Sequence, residues 1–261
     1  MMAIKKRGQV TIFIIIAVVL VALIVLLFLF YPKIKSGLGF GEKNPAQFLQ
    51  DCLEEDVSEK VGIISSQGGS LEPGLTIKYE NTDVEYLCYI NEYYLPCVRQ
   101  QPLLVNHVAE EIKKSIEGNV DACFRSLEES FGKQGYSVDL KRKDFEVELL
   151  PKRIVVRFED ELTLAKAEES TPYENFEVVL TNDIYELLSI ANSILNWEAR
   201  YGDSETTIYM NYYHNLKVEK KKQGDGSTIY ILTNRDSEDK FMFASRSVAW
   251  PPGYGAGEIR I

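Results

Sequence analysis

The stretch YSVDLKRKDFEVELLPKRIVVRF, residues 136–158, decides the fold class of this chain. Apolar and polar residues alternate over 136–140 and again over 145–150, which is the pattern of half-buried strands. A third strand, 153–158, follows after only two residues, the length of a tight hairpin turn. The stretch therefore predicts antiparallel strands, and the segments on either side indicate what covers them.

Two amphipathic helices are predicted on the N-terminal side of these strands. The first begins at Asn44-Pro45, an N-cap residue followed by proline, and ends at the glycines 68–69. The second runs from Pro102 to about Phe131 along one apolar stripe, and we interpret its charged face as solvated. This part of the chain, residues 45–135, is expected to be helical.

A third helix and further strands are predicted on the C-terminal side. The helix spans Asp183 to about Tyr201, and Asp183 and Glu186 have the spacing of a capping box. The strand candidates are 176–180, 206–218, 227–233 and 241–248. Helices grouped before strands, without regular βαβ alternation, indicate an α+β fold with an antiparallel sheet and helices on one face. Residues 136–249 form its sheet-rich part, and the tail 250–261 is expected to be irregular.

Four cysteines lie in the first part of this domain. Cys88 and Cys97 bracket a short tyrosine-rich segment, whereas Cys52 and Cys123 lie on the apolar stripes of the two helices, so we predict disulfides within each pair. In the chain-entropy model the short loop contributes about 2.7 kcal/mol and the long one about 4.4 kcal/mol. A zinc site made by the four thiolates and free buried thiols are the alternatives, but structural zinc sites usually present more closely spaced cysteines.

A hydrophobic segment precedes the domain and predicts a membrane anchor. Val10 to Tyr31 contains no charged residue and spans roughly 33 Å as a helix, against a hydrocarbon core of about 30 Å. No small-residue cleavage site follows it, so we interpret it as an anchor in the lipid bilayer rather than a removed signal. The basic residues 5–7 place segment 1–9 in the cytoplasm. A Gly/Lys/Pro stalk, 32–44, then leads to an extracytoplasmic domain, 45–261.

The charge of the outer part argues against some partners. Residues 32–261 hold 26 of the 29 basic residues and all 39 acidic ones, a net charge of about −13. An acidic domain is a poor candidate for binding nucleic acid or anionic lipid headgroups. We therefore expect no nucleic-acid partner and interpret the charge as a source of solubility.

The start of the chain carries a recognisable motif, KKRGQVTIF over residues 5–13. It resembles the class III signal peptide of archaeal type IV pilin-like proteins, in which a peptidase cuts between glycine and glutamine, here Gly8 and Gln9. Thr11 matches the family's hydroxyl residue, but Phe13 stands where the family has an acid linked to filament assembly. The resemblance therefore implies a processing site, while the departure at Phe13 weakens the expectation of polymerisation. The outer domain also resembles archaeal membrane-anchored proteins, a likeness that implies no activity.

Signatures of catalysis are few. The two histidines, His107 and His214, stand alone in sequence, and the common nucleophile, phosphate-binding and zinc-protease motifs are absent. Acidic groups at 159–161 and 236–239 leave a carboxylate-dependent hydrolase open, although acids beside turns usually face solvent. We predict no catalytic residue, no metal site and no cofactor.

A tyrosine cluster is the strongest sequence candidate for a partner surface. It surrounds the short predicted disulfide and consists of Tyr86, Tyr89, Tyr93 and Tyr94. Tyrosine is enriched at protein interfaces, although half-buried structural tyrosines give the same pattern. The sequence thus favours a membrane-anchored cell-surface or envelope protein with a non-enzymatic recognition or structural domain. A pilin-like filament subunit and a membrane-tethered hydrolase are the alternatives.

Overall fold

The computed structural model of the chain describes residues 44–251. The predicted anchor 10–31, the processing site Gly8-Gln9, most of the stalk and nearly all of the tail lie outside these residues. No helix within the described range is long and apolar enough to cross a membrane.

Three long helices and one short helix are described. They are α1 (Pro45–Ser66), α2 (Leu104–Lys133), α3 (Ile184–Tyr201) and α4 (Thr207–Tyr212). In α1 and α2 the buried residues recur every three or four positions, so each helix presents one apolar stripe to the core. Gly202 ends α3 in a left-handed conformation, with φ of 80°, and its N–H donates to the carbonyl of Glu198.

The first sheet is mixed. Its strands are β1 (Thr76–Tyr79), β2 (Thr82–Tyr89), β3 (Val98–Arg99), β8 (Leu216–Lys222), β9 (Ser227–Asn234) and β10 (Lys240–Arg246). The order is β1-β2-β10-β9-β8, and β3 pairs with β2. The pair β2–β10 is parallel, whereas the other pairs are antiparallel. The sheet therefore joins strands from both ends of the described domain.

The second sheet is antiparallel throughout. It contains β4 (Ser137–Lys141), β5 (Phe145–Leu150), β6 (Arg153–Lys166) and β7 (Glu169–Thr181). The long strand β6 pairs with β7 on one side and with β4 and β5 in succession on the other. A bulge after Phe158 separates the β5-pairing and β4-pairing parts of β6.

One large hydrophobic core connects the helices with both sheets. Helix α1 contacts α2, β7 and β10. Helix α3 contacts α2, the strands β2, β3, β9 and β10 of the first sheet, and β5 of the second. A second, smaller cluster lies among strands of the first sheet and contains Val84, Tyr86, Ile229 and Ala244.

Both predicted disulfides are confirmed. Cys52 bonds to Cys123 and thereby joins α1 to α2, while Cys88 bonds to Cys97 and joins β2 to the segment before β3. No cysteine of the chain is free.

Three expectations about the fold were wrong. Residues 206–218 were expected to be one strand, but 207–212 form helix α4 and only 216–222 form β8. The supposedly helical part 45–135 contains β1, β2 and β3, because the tyrosine-rich segment pairs with strands far along the chain. Strands lie in two sheets rather than one, and the first sheet is not purely antiparallel. The α+β class itself is confirmed.

Candidate functional site

Exposed aromatic residues gather beside the Cys88–Cys97 loop. Tyr93 is 41% exposed, Tyr94 48% and Trp250 53%, and Leu95, which follows Tyr94 in the chain, is also exposed. The Tyr94 ring meets the Trp250 ring edge to face at a centroid distance of 5.1 Å, and Tyr93 lies 6.5 Å from Tyr94. We call Tyr93, Tyr94, Leu95 and Trp250 the aromatic surface.

The backbone beneath the aromatic surface is fixed by covalent and hydrogen bonds. The disulfide closes the loop at its base, where both sulfur-bearing residues are buried. Tyr94 N–H donates to the carbonyl of Ala249 (3.0 Å), and Val248 N–H donates to the carbonyl of Leu95 (2.8 Å). The loop and the segment after β10 therefore hold each other, which reduces the ordering cost of any binding there.

A buried arginine supports the surface from below. The Arg246 guanidinium lies 5.3 Å from the centroid of the Tyr93 ring, close enough for a cation–π interaction. It also donates to the backbone carbonyls of Ile90 (2.5 Å) and Asp225 (3.1 Å). Arg246 thus joins the tyrosine loop to the β8–β9 turn.

The four tyrosines of the sequence candidate occupy two different layers. Tyr93 and Tyr94 are exposed, as a partner surface requires, whereas Tyr86 is buried and its hydroxyl hydrogen bonds to Ser227 (2.8 Å). Burial accordingly raises the pKa of Tyr86. Tyr89 is half-buried and packs edge to face on Tyr86. Tyr86 therefore lies beneath the surface and does not form part of it.

An open cleft of about 470 Å³ adjoins the aromatic surface. Trp250 lines it from the segment after β10, and Tyr201, 59% exposed, lines it from the end of α3. The β8–β9 turn forms another part of the wall, through Lys222, Gln223, Gly224 and Gly226. Trp197 packs against Tyr201 with ring centroids 4.9 Å apart, so the aromatic character continues along α3.

A buried polar network lies near the end of α3. Glu198 is 2% exposed, and its carboxyl group accepts hydrogen bonds from the Tyr230 hydroxyl, the Ser204 N–H (3.1 Å) and the Ser245 hydroxyl (2.9 Å). Burial raises the pKa of Glu198, and the hydrogen bonds from Tyr230 and Ser245 oppose that rise. The Tyr230 pKa is likewise raised by burial and by Glu198.

The same network reaches the disulfide loop. Ser247 donates its hydroxyl to the backbone carbonyl of Glu198 (2.8 Å) and accepts the N–H of Cys97 (2.9 Å). The end of α3, strand β10 and the disulfide loop are therefore coupled through buried hydrogen bonds.

His107 lies in a Ser-His-Glu cluster that differs from a catalytic triad. The Ser70 hydroxyl donates to the Glu85 carboxylate (2.6 Å), and the Ser70 hydroxyl oxygen lies 2.8 Å from Nε2 of His107. A triad would instead place the carboxylate on the second ring nitrogen of the histidine. Within residues 44–251 no carboxylate is hydrogen bonded there, and Glu111 accepts the N–H of Leu71 (2.9 Å). The cluster holds the loop after α1 against α2.

Two of the acidic residues noted in the sequence, Asp160 and Asp239, make structural contacts. Asp160 is fully buried at the β6 bulge and accepts from the Arg142 side chain (3.2 Å) and the Lys143 N–H (2.6 Å). Asp239 accepts from Asn182 (3.1 Å) and from the N–H of Asp183 (2.8 Å). Across the described residues no group of three or more metal-ligating side chains is arranged to hold a metal ion. His214 is exposed in the connection between α4 and β8.

Comparison with known proteins adds no assignment. No protein-family model, no curated protein and no solved structure matches the chain.

Sequence reasoning missed three residues of this region. Trp250 and Leu95 join the surface because the segment after β10 runs beside the disulfide loop, and that neighbourhood follows from the parallel pairing of β2 with β10. Glu198 was missed because it lies next to the apolar stripe of α3 and reads as an ordinary helix acid. In the sequence, Trp250 is marked only by its position at the start of a glycine- and proline-rich tail, and that position does not predict a partner surface.

Proposed function

We propose that this chain is a single-pass membrane protein of the cell surface or envelope whose outer domain recognises a protein partner through the aromatic surface. Segment 10–31 anchors the chain in this proposal, and the domain from residue 45 lies outside the cytoplasm. The observation that carries the proposal is the exposed group of Tyr93, Tyr94, Leu95 and Trp250 on a disulfide-closed backbone.

The composition of the surface supports a protein partner. Tyrosine, tryptophan and arginine are the residue types most enriched at binding hot spots, and here two tyrosines and a tryptophan are exposed, with the Arg246 guanidinium against the ring of Tyr93. Aromatic side chains supply a large contact area at a low cost in side-chain entropy. A preformed backbone lowers the cost of binding further.

The charge of the chain narrows the kind of partner. The net charge is −10, so a strongly acidic protein would be repelled on approach. We therefore infer a partner whose contact surface is apolar at its centre and neutral to basic around it. The disulfides also fit an extracytoplasmic location, where thiols are oxidised.

Site-specific photocross-linking tests this function. A photoreactive phenylalanine derivative is placed at position 94 in the full chain, in the native membrane, and the matched control carries it at position 212, where Tyr212 is 81% exposed. We expect a discrete adduct of defined mass from position 94 and none of that mass from position 212. Equal adducts from both positions, or none from position 94, would refute the proposed surface.

A filament subunit is the second candidate, and the GQ motif at Gly8-Gln9 favours it. Cleavage there would leave the anchor in place for assembly. The intact mass of the protein extracted from its native membrane distinguishes the two. Loss of residues 1–8 together with helical polymers at the cell surface would support the filament, whereas an uncut chain would exclude it.

A further inference from the structure

The cleft beside the aromatic surface has the size and chemistry of a small-ligand site. Its volume of about 470 Å³ falls in the usual range of ligand pockets, about 300–1,000 Å³. Three separate segments build it: the end of α3, the β8–β9 turn and the residues after β10. The buried Glu198 network and the Arg246 contacts hold these segments together, so the cleft is part of the rigid fold.

Two aromatic rings line the cleft and remain more than half exposed. Tyr201 and Trp250 come from different segments, and Tyr201 is backed by Trp197. The face of an aromatic ring carries partial negative charge, so it attracts the slightly positive C–H groups of a ligand laid flat against it. The rings therefore favour a ligand with a flat, C–H-rich face.

Polar side chains in the cleft offer both donors and acceptors. Within the described residues the Lys222 amine makes no hydrogen bond or ion pair, and Gln223 uses only its amide nitrogen, on the carbonyl of Lys221. Asp203 uses one carboxylate oxygen on Lys220, which leaves the other for a ligand. A free amine, a free amide oxygen and a free carboxylate oxygen match hydroxyl groups, which donate and accept at once.

Other ligand classes fit these walls less well. A phosphate or another strong anion would meet Asp203 and the acidic field of the chain with only Lys222 to neutralise it. A purely apolar ligand would remove water from the polar side chains without replacing their hydrogen bonds. A neutral molecule with one C–H-rich face and several hydroxyl groups satisfies both kinds of wall.

We propose that the cleft binds a neutral pyranose sugar, stacked on Tyr201 and hydrogen bonded by Asp203, Lys222 and Gln223. This second binding site does not depend on whether the aromatic surface binds a protein. It gives the outer domain a lectin-like activity toward neutral glycans.

One glycine of the turn provides a variant that closes the cleft. Gly224 lines it, and a Cβ added there would meet nothing within 4 Å. Gly224→Leu therefore adds a bulky side chain at the wall of the cleft, at a position where the new Cβ meets no other atom. Gly132→Leu is the matched control, because Gly132 is equally unobstructed and lies on α2.

The experiment titrates full-length protein with neutral oligosaccharides of glucose, mannose and N-acetylglucosamine, and follows tryptophan fluorescence. The protein is kept in a polyoxyethylene detergent, because sugar-headed detergents would compete. Both tryptophans of the chain, Trp197 and Trp250, lie at or next to the cleft and report on its occupancy. Detergent alone and a proline-rich decapeptide are titrated in parallel.

We expect at least one sugar to give a saturable shift that Gly224→Leu abolishes and Gly132→Leu retains. Tyr201→Ala should weaken the same binding about tenfold, and Tyr201→Phe should restore most of it. Absence of a shift with every sugar, or a shift that survives Gly224→Leu, would overturn the proposal. Binding of the peptide but of no sugar would show that the cleft binds polypeptides, and this result would also overturn the proposal. The cross-linking experiment at Tyr94 tests the aromatic surface separately, so none of these outcomes decides whether that surface binds a protein.

Discussion

Replacement of Glu198 by alanine should destabilise the outer domain by about 3–6 kcal/mol. The change removes the acceptor of three hydrogen bonds and leaves the Tyr230 hydroxyl, the Ser204 N–H and the Ser245 hydroxyl without their partner in the buried interior. Each unsatisfied buried group costs about 1–3 kcal/mol, and partial relaxation of the two hydroxyls lowers the total. A loss of this size is a large part of the 5–15 kcal/mol typical of a folded domain.

Glu198→Gln is the matched control because it keeps the shape and the hydrogen-bonding capacity of the side chain. The amide oxygen can accept from Tyr230 and Ser204, and the amide nitrogen can donate to the Ser245 oxygen, as a protonated carboxyl group would. We expect Glu198→Gln to remain within about 1 kcal/mol of the natural chain, because the amide can keep the three hydrogen bonds and burial penalises the charged carboxylate.

The same residue predicts a dependence of stability on pH. Burial raises the folded-state pKa of Glu198 above its ordinary value of 4.5, so the folded state retains a proton that the unfolded state has released. The contribution of Glu198 to the free energy of unfolding should therefore be largest below about pH 4.5 and fall as the pH rises through the folded-state pKa. Glu198→Gln should lack this fall.

Guanidinium unfolding of the full chain, followed by tryptophan fluorescence, measures the free energy of unfolding of Glu198→Ala and of Glu198→Gln. Repeated across the pH range, it also measures the pH dependence. Trp197 precedes Glu198 on α3 and reports the unfolding of that helix directly. A loss below about 1 kcal/mol in Glu198→Ala, or equal losses in the alanine and glutamine variants, would refute a hydrogen-bonded role for the buried carboxyl group.

Three further predictions concern other parts of the domain. Alanine at both Cys52 and Cys123 should lower the free energy of unfolding by about 4.4 kcal/mol, which guanidinium denaturation measures and a loss below about 1 kcal/mol would contradict. Gly202→Ala should cost about 2–4 kcal/mol, because Gly202 has a positive φ and an added Cβ would overlap the Val248 side chain, whereas Gly224→Ala should be nearly neutral in the same assay. Burial raises the pKa of Asp183, but the hydrogen bonds to its carboxylate lower the pKa by more. Stability should therefore fall as the pH drops below about 4. Asp183→Asn should lack that fall when both proteins are compared by thermal unfolding.

The three long helices and the disulfides followed from the sequence because their causes are local. Cys52 and Cys123 lie on the apolar stripes of α1 and α2, and two stripes that must both be buried bring those positions together. The hairpin β5–β6 was also expected, because alternation and a two-residue turn lie next to each other in the chain.

The first sheet did not follow from the sequence because its central pairing is non-local. Strand β2 pairs with β10, about 160 residues later, and neither segment has a sequence feature that identifies its partner strand. The segment 206–218 misled for a different reason: its aromatic residues resemble a strand pattern, yet residues 207–212 form a helix beside β8.

Side-chain roles were predicted only in part for the same physical reason. Asp183 and Glu186 have capping-box spacing, but Asp183 makes no cap hydrogen bond. It accepts from Lys152 in the β5–β6 turn (2.5 Å) and from Asn234 at the end of β9 (2.6 Å). Asp183 therefore bonds to residues distant in the chain instead of capping its own helix. Tyr86 was placed among the partner-surface candidates because the sequence could not indicate which face of β2 is covered.

Native electrophoresis of the complex formed in the membrane tests the recognition surface most directly. The natural full chain is compared with Tyr93→Ala/Tyr94→Ala and with Tyr212→Ala, whose replaced ring is exposed on α4, away from the aromatic surface. We predict a band heavier than the free chain for the natural protein and for Tyr212→Ala, and its loss in the double variant, because truncating central aromatic residues typically costs about 2 kcal/mol or more in binding. The same band in all three proteins would contradict recognition through the aromatic surface.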